Sequence, residues 1–113
     1  MYWRKNKYKN KKIQVDMHVF DSIAESERYK KLALLEEAGK IENLQLQPRF
    51  ILQDSFKKNG KTYRKIEYVA DFMYKENGQV IVEDVKGIQT DVFKLKHKLF
   101  EKKYPELELR IIK

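Results

Sequence analysis

Asn77-Gly78, set between two β-rich runs, is the feature that most narrows what this chain can fold into. The surrounding sequence reads YVADFMYKENGQVIVEDVKG. A type I′ turn needs positive φ at both central residues, and Asn-Gly supplies it with little strain. With those two residues as the turn, Glu76 pairs with Gln79, Tyr74 with Ile81, and Asp71 falls opposite Asp84. Directly opposed residues share a face, their Cβ atoms about 4.5–5.5 Å apart. Lys86, two residues beyond Asp84, points the same way, while Glu83 points to the other face. The pleat therefore selects Asp84 over Glu83. A one-residue slip of the hairpin would reverse the choice.

Two carboxylates so placed repel each other by on the order of 3 kcal/mol, at about 5 Å and an effective dielectric of ~20. A hard divalent cation with oxygen ligands offsets such a cost. A cation between two carboxylates with a lysine alongside is an arrangement suited to phosphodiester cleavage. Asp71 lies between Ala70 and Phe72, where a β-rich run disfavours aspartate unless something calls for it. Lys86 taken alone reads as a strand-end lysine before Gly87; the weight lies in the three residues together.

Bulk properties bound the reading. A chain of 113 residues suits one domain with a single modest core. Its 25 Lys+Arg against 17 Asp+Glu give a net charge of +8, which favours a polyanionic partner. Composition alone equally allows a merely soluble basic protein. The absence of cysteine excludes disulfides, thiolate metal sites and cysteine nucleophiles. With only His18 and His97, a histidine-rich zinc site is disfavoured. No apolar run approaches ~18 residues and no signal peptide is recognisable, so the expectation is a cytoplasmic protein with no membrane partner.

The chain divides into a basic and aromatic N-terminal arm, residues 1–12, and a single domain over 13–113. The arm interleaves Arg4, Lys5 and Lys7 with Tyr2, Trp3 and Tyr8. It reads either as a solvated tail or as a nucleic-acid contact, cations on phosphates and aromatics for stacking. After a short extended stretch, Ile13–Phe20, Ser22 and Glu25 form a capping box that opens a helix, and Gly39 closes it. Ala24, Tyr29, Leu32 and Leu35 are expected to form its buried stripe. Residues 48–55 and 62–73 read as a hairpin about Lys58-Asn59-Gly60-Lys61, with Pro48 at an edge or a strand's beginning. Gln79–Lys86 is a third strand, apolar on both faces through Val80-Ile81-Val82, as expected inside a covered sheet. Thr90-Asp91 opens a second helix that Pro105 ends. Val92, Leu95 and Leu99 make its apolar line, broadened by Phe93 and Phe100, with Lys94, Lys98 and Lys102 opposite. Leu107–Ile112 alternates as a last strand, completing an α-β-β-β-α-β order.

Glu25 has two readings. The capping box explains it, yet it also lies within the apolar arc of its helix, four residues before Tyr29 and seven before Leu32. Glu27 projects about 200° away toward solvent. An acid at the end of a buried stripe can reach over a sheet toward a cation, and the two roles are compatible.

This order, with Glu on the first helix, Asp on the second strand and Asp-x-Lys on the third, resembles the PD-(D/E)XK nuclease superfamily. The fold so implied is α/β and restriction-endonuclease-like, a mixed central sheet flanked by helices. More narrowly, FDSIAESERY, IEYVADFMY and VIVEDVKGIQT followed by KLKHKLF resemble small phage- and prophage-encoded proteins of a domain family of unknown function. That similarity runs from about Asn6 to the C-terminus. The superfamily resemblance implies Asp71 and Asp84 as Mg²⁺ ligands, with Mn²⁺ able to substitute. It adds the Val85 carbonyl as a backbone ligand, Glu25 as a direct or water-mediated ligand, and Lys86 as the group that positions or activates water. Val69-Ala70 departs from the pattern, standing where a nominal proline would precede Asp71.

Gln89 and Thr90 are either contacts near the scissile phosphate or simply the cap of the second helix. Lys94, Lys98 and Lys102, with the N-terminal arm, are expected to hold the phosphate backbone without reading sequence, or else are only solvated. The function implied is a Mg²⁺-dependent DNA endonuclease, structure-selective and Holliday-junction-resolvase-like, acting in phage recombination or replication in a bacterial host. A homodimer is expected with it, because a four-way junction needs two symmetric cuts. The rivals are a catalytically inactive nucleic-acid-binding module and a phage-encoded interaction or anti-defence protein.

Overall fold

A computed structural model describes residues 12–113. The chain opens with a small antiparallel hairpin, β1 (Ile13–Val15) and β2 (His18–Phe20), and continues into α1 (Ile23–Glu37). The Ser22 hydroxyl accepts the Glu25 N–H at 3.1 Å, so half of the expected capping box is in place. At the far end Gly39, at φ +77°, donates to the Glu36 carbonyl while Lys40 donates to that of Leu35. That pair of bonds is a Schellman stop, and it needs the left-handed conformation that glycine adopts freely.

One long bent hairpin follows. Its outgoing arm is β3 (Glu42–Leu46), β4 (Arg49–Gln53) and β5 (Phe56–Lys58); its return is β6 (Lys61–Tyr63), β7 (Ile66–Val69) and β8 (Phe72–Glu76). β3 pairs with β8, β4 with β7 and β5 with β6, all antiparallel. The hairpin thus begins earlier than the 48–55 segment read from sequence, and breaks divide it into three sections. At the first break Gln47 N–H donates to the Asp71 carbonyl (2.9 Å) and Ala70 N–H to that of Pro48 (3.1 Å). The two arms therefore stay joined while they change direction, with Pro48 just before a strand where no ladder N–H is needed.

β9 (Gln79–Val85), α2 (Asp91–Lys103) and β10 (Glu108–Ile112) complete the chain. The central sheet runs β10-β9-β8-β3, with β10 parallel to β9 and the other pairs antiparallel. A parallel pair needs a crossover, and α2 is that crossover. Over the described residues the architecture is mixed α/β, two helices on a sheet-rich core. None of the described helices is long and apolar enough to cross a membrane.

Each face of the sheet has its own core. Tyr29 and Leu32 of α1 pack with Phe20, Phe72, Tyr74 and Ile81 on one side; Phe93 and Phe100 of α2 pack with Phe50, Tyr68 and Val82 on the other. Consecutive Ile81 and Val82 enter opposite cores, as an interior strand covered twice requires.

The helix stripes differ from expectation. Ser26, Tyr29 and Leu32 form the buried line of α1, while Ala24 and Leu35 are exposed. On α2, Val92 (63 %) and Leu95 (60 %) face outward with Leu99, and Phe93 and Phe100 are the residues that bury. Both lines have helical spacing. The sheet takes the aromatic one because Phe100 meets Phe50 edge-on at 5.0 Å and Tyr68 at 5.5 Å, burying more apolar area per residue.

A candidate acidic active site

The Asn77-Gly78 turn adopts the expected conformation, φ +53° and +80°. Glu76 pairs with Gln79 and Tyr74 with Ile81, and the ladder extends to Phe72 opposite Glu83. Just beyond it the return arm kinks, and Asp71 stands at the kink. Its N–H donates to the Glu83 carbonyl at 3.0 Å, and its carboxylate accepts the Val85 N–H at 2.7 Å. Asp71 is thereby tied across the end of β9, over Asp84.

Asp84 is fully buried, on the face that α2 covers. One of its carboxylate oxygens lies 3.2 Å from Lys86 Nζ, and the other accepts a short hydrogen bond from the Tyr68 hydroxyl. The lysine's ammonium also sits 4.9 Å from the centre of the Phe93 ring, a cation–π contact that holds its stem against α2. Glu83, one residue away, turns to the α1 side, where Arg28 grips it at 2.7 and 2.6 Å and the Tyr74 hydroxyl donates to it. A bidentate guanidinium on a fully buried carboxylate leaves it no free role at the Asp84 face.

Burial chiefly pushes the Asp71 carboxyl up, to about 8; the Val85 N–H opposes the shift, and Asp84 and Glu25 add to it. Glu25, at the first turn of α1, is also raised, mainly by burial and by Asp21, with the charge of Asp84 adding and that of Lys86 opposing. Tyr68 is raised too, by burial and by its bond to Asp84. Three acids and one lysine thus feel one another at the end of the sheet.

Among the described residues no three Asp, Glu, His or Cys side chains stand close enough together to hold a metal ion. The donor set on hand is two carboxylates, Asp71, tied to the Val85 N–H, and Asp84, with Glu25 within range of their charge. Hard oxygens in that number fit Mg²⁺, which is commonly bound by one or two carboxylates and keeps waters or substrate phosphates in its other positions. A cavity of about 240 Å³ opens beside the cluster, with Glu25, Asp71, Gln47 and His18 among its walls.

A family model described as "Protein of unknown function (DUF1064)" matches residues 5–113. The chain belongs to that family. None of the curated proteins compared with it matches. The family's description names no activity, so the chemistry must be read from the site itself.

The remaining expected residues lie at varying distance from the acids. Thr90 caps α2, its hydroxyl accepting the Phe93 N–H at 3.1 Å, and Gln89 beside it is exposed. Lys94, Lys98 and Lys102 are all exposed along α2. Arg4, Lys5 and Lys7 lie outside the described residues. Sequence reasoning missed Tyr68 and Arg28. Tyr68 sits on a section paired with β4, so no register rule carried it to Asp84. Arg28 follows Glu25 by one helical turn, which was a usable hint that this face of α1 meets the strand carrying Glu83.

Proposed function

We propose that this protein is a Mg²⁺-dependent DNA endonuclease of the PD-(D/E)XK type, with a restriction-endonuclease-like core. The carrying observation is the juxtaposition at one sheet end of Asp71, at the kink before β8, with Asp84 and Lys86 at the end of β9, two acids and a cation. The order α1, bent hairpin, β9, α2, β10 supports the same reading, the hairpin arms counting as two broken strands.

Asp71 and Asp84, with the Val85 carbonyl, would hold the metal, and Glu25 would join them directly or through water. When bound, Mg²⁺ would polarise a phosphate oxygen and lower the pKa of water. Lys86, whose ammonium lies 3.2 Å from an Asp84 oxygen, would orient a water or neutralise charge developing on phosphate. Tyr68 and the Val85 N–H each hold one oxygen, of Asp84 and of Asp71 respectively, which fixes the orientation of both carboxylates. Lys94, Lys98 and Lys102 supply cations for the phosphate backbone without base readout. The substrate favoured is branched DNA of phage recombination or replication in the bacterial cytoplasm, cut by a homodimer as a four-way junction requires.

The test is a cleavage panel of supercoiled plasmid, single strands, flaps and four-way junctions, each with Mg²⁺, Mn²⁺ or EDTA. Cleavage is expected with metal and lost in Asp84→Asn; undiminished cleavage by that variant refutes the assignment. The engagement of both Asp84 oxygens, by Tyr68 and Lys86, favours one second reading, a nucleic-acid-binding module without turnover. Metal-independent binding with no cleavage of any substrate would select it.

A further inference from the structure

The outermost section of the long hairpin has no structural task that explains its residues. Every residue from Gln53 to Ile66 is exposed, on both strands and both faces. A two-stranded ribbon exposed on both faces leans on nothing, so β5 and β6 project from the body. About six residues separate its base from the Asn59-Gly60 tip, which gives a reach of ~20 Å at about 3.3 Å per residue. The tip is a tight turn with φ +53° and +76°.

Its charge is one-sided. Lys57, Lys58, Lys61, Arg64 and Lys65 face a single acid, Asp54, over residues 54–65. Lys65 is paired with Glu67 at 3.3 Å, at the base. Toward the tip, none of the ion pairs among the described residues involves Lys57, Lys58, Lys61 or Arg64. Register places Lys58 directly opposite Lys61, a like-charge pair that destabilises a free ribbon. On the same face Phe56 lies opposite Tyr63, their rings stacked at 4.8 Å and 9°, yet 44 % and 40 % exposed. The aromatic pair stiffens the ribbon without burying it. Lys57 and Arg64 lie on the opposite face, because side chains alternate.

We propose that the β5–β6 ribbon lies in a groove of duplex DNA, its lysines on the phosphates that flank it. The inference rests on the nucleic-acid substrate proposed above. A B-form major groove, about 12 Å wide, admits a two-stranded ribbon. Cations on both faces suit a groove, whose phosphate walls stand on either side, better than a flat surface that would meet one face. The ribbon's inner end, Tyr63, stands eight residues before Asp71, about 26 Å or less along the strand path. Its inner end therefore meets the duplex within one helical turn (~34 Å) of the acid cluster, and its tip reaches further along the groove.

The test measures binding apart from cleavage. Labelled duplex and a single strand of equal length are titrated by fluorescence anisotropy in EDTA, across a salt series, with the full-length chain. Wild type is compared with Lys57→Gln/Lys58→Gln/Lys61→Gln and, separately, Phe56→Ala/Tyr63→Ala. Circular dichroism establishes that each variant stays folded. The lysine variant is expected to bind duplex at least about tenfold more weakly, and its log K against log salt slope to flatten by about 0.9 for each phosphate no longer neutralised. The aromatic variant should weaken binding with the slope unchanged. A folded lysine variant with the wild-type slope overturns the ribbon and leaves the nuclease reading standing, as does an equal loss on the single strand. Ribbon-dependent duplex binding without cleavage in Mg²⁺ supports the ribbon and overturns the nuclease. No binding of wild type to duplex overturns both.

Discussion

Replacing Asp71 with Asn removes the cost of burying a charge beside a second acid. In the folded chain its carboxyl is pushed up to about 8 from an ordinary 3.8, first by burial and then by Asp84 and Glu25. A carboxyl raised on folding stabilises the fold fully below its unfolded pKa, and that contribution is lost as pH rises through the folded value. Wild type in EDTA should therefore lose stability between about pH 4 and about pH 8. The repulsive part alone is on the order of 3 kcal/mol at ~5 Å and an effective dielectric of about 20. Asn keeps an oxygen for the Val85 N–H, which Asp71 accepts at 2.7 Å, but carries no charge. At roughly 4–8 °C per kcal/mol for a domain of this size, Asp71→Asn should raise Tm at pH 8 by on the order of 10 °C. The gain should vanish near pH 4. Millimolar Mg²⁺ should cancel most of that difference at pH 8, since a ligand at a hundredfold excess over its Kd adds about 2.7 kcal/mol to wild type alone. Thermal melts followed by circular dichroism at the two pH values, with EDTA and then Mg²⁺, decide it. A variant less stable than wild type at pH 8 in EDTA, or a gain independent of pH, refutes the reasoning.

On the other side of the sheet, Arg28→Ala strands Glu83 in the core with only the Tyr74 hydroxyl. Breaking a buried pair by removing one partner costs about 3–5 kcal/mol, and the low end applies because Arg28 is itself 24 % exposed. Urea unfolding monitors the loss; a change below ~1 kcal/mol would show that Glu83 is satisfied without the guanidinium. For α2, Phe100→Ala should cost about 3–5 kcal/mol and Leu95→Ala no more than ~0.5 kcal/mol, because only the first empties a core. Comparable losses for both, measured by the same unfolding curves, would mean that Leu95 is covered in solution.

The acidic site was legible to a large degree because its placement is local. From Asn77-Gly78 to Asp84 the path is one turn and a few strand residues, and period-two alternation carries that side chain to its face, with the ladder ending at Phe72, one residue short of Asp71. The same logic separated Asp84 from Glu83 and set Lys86 beside Asp84, 3.2 Å away. The caps at Ser22 and Thr90 were legible for the same reason, each bond closing within three residues. The kink at Asp71 was not, since it needs Gln47 and Pro48 from the opposing arm. Nor was the bond from Tyr68 to Asp84, which depends on that kink to turn β7 toward the α2 face.

Sequence by itself determined the β8–β9 register, the helix ends, and the side of β9 on which Asp84 and Lys86 stand together. Those follow from backbone sterics at Asn-Gly, from short capping bonds and from the pleat, all settled within a few residues. Tertiary structure decided which of two helically spaced lines on α2 is buried, because that choice depends on the rings the sheet presents. It also gave Glu83 its guanidinium from Arg28, and it left the β5–β6 ribbon exposed on both faces. Each of those outcomes turns on elements distant in sequence, and no local pattern of hydropathy or spacing encodes such a meeting.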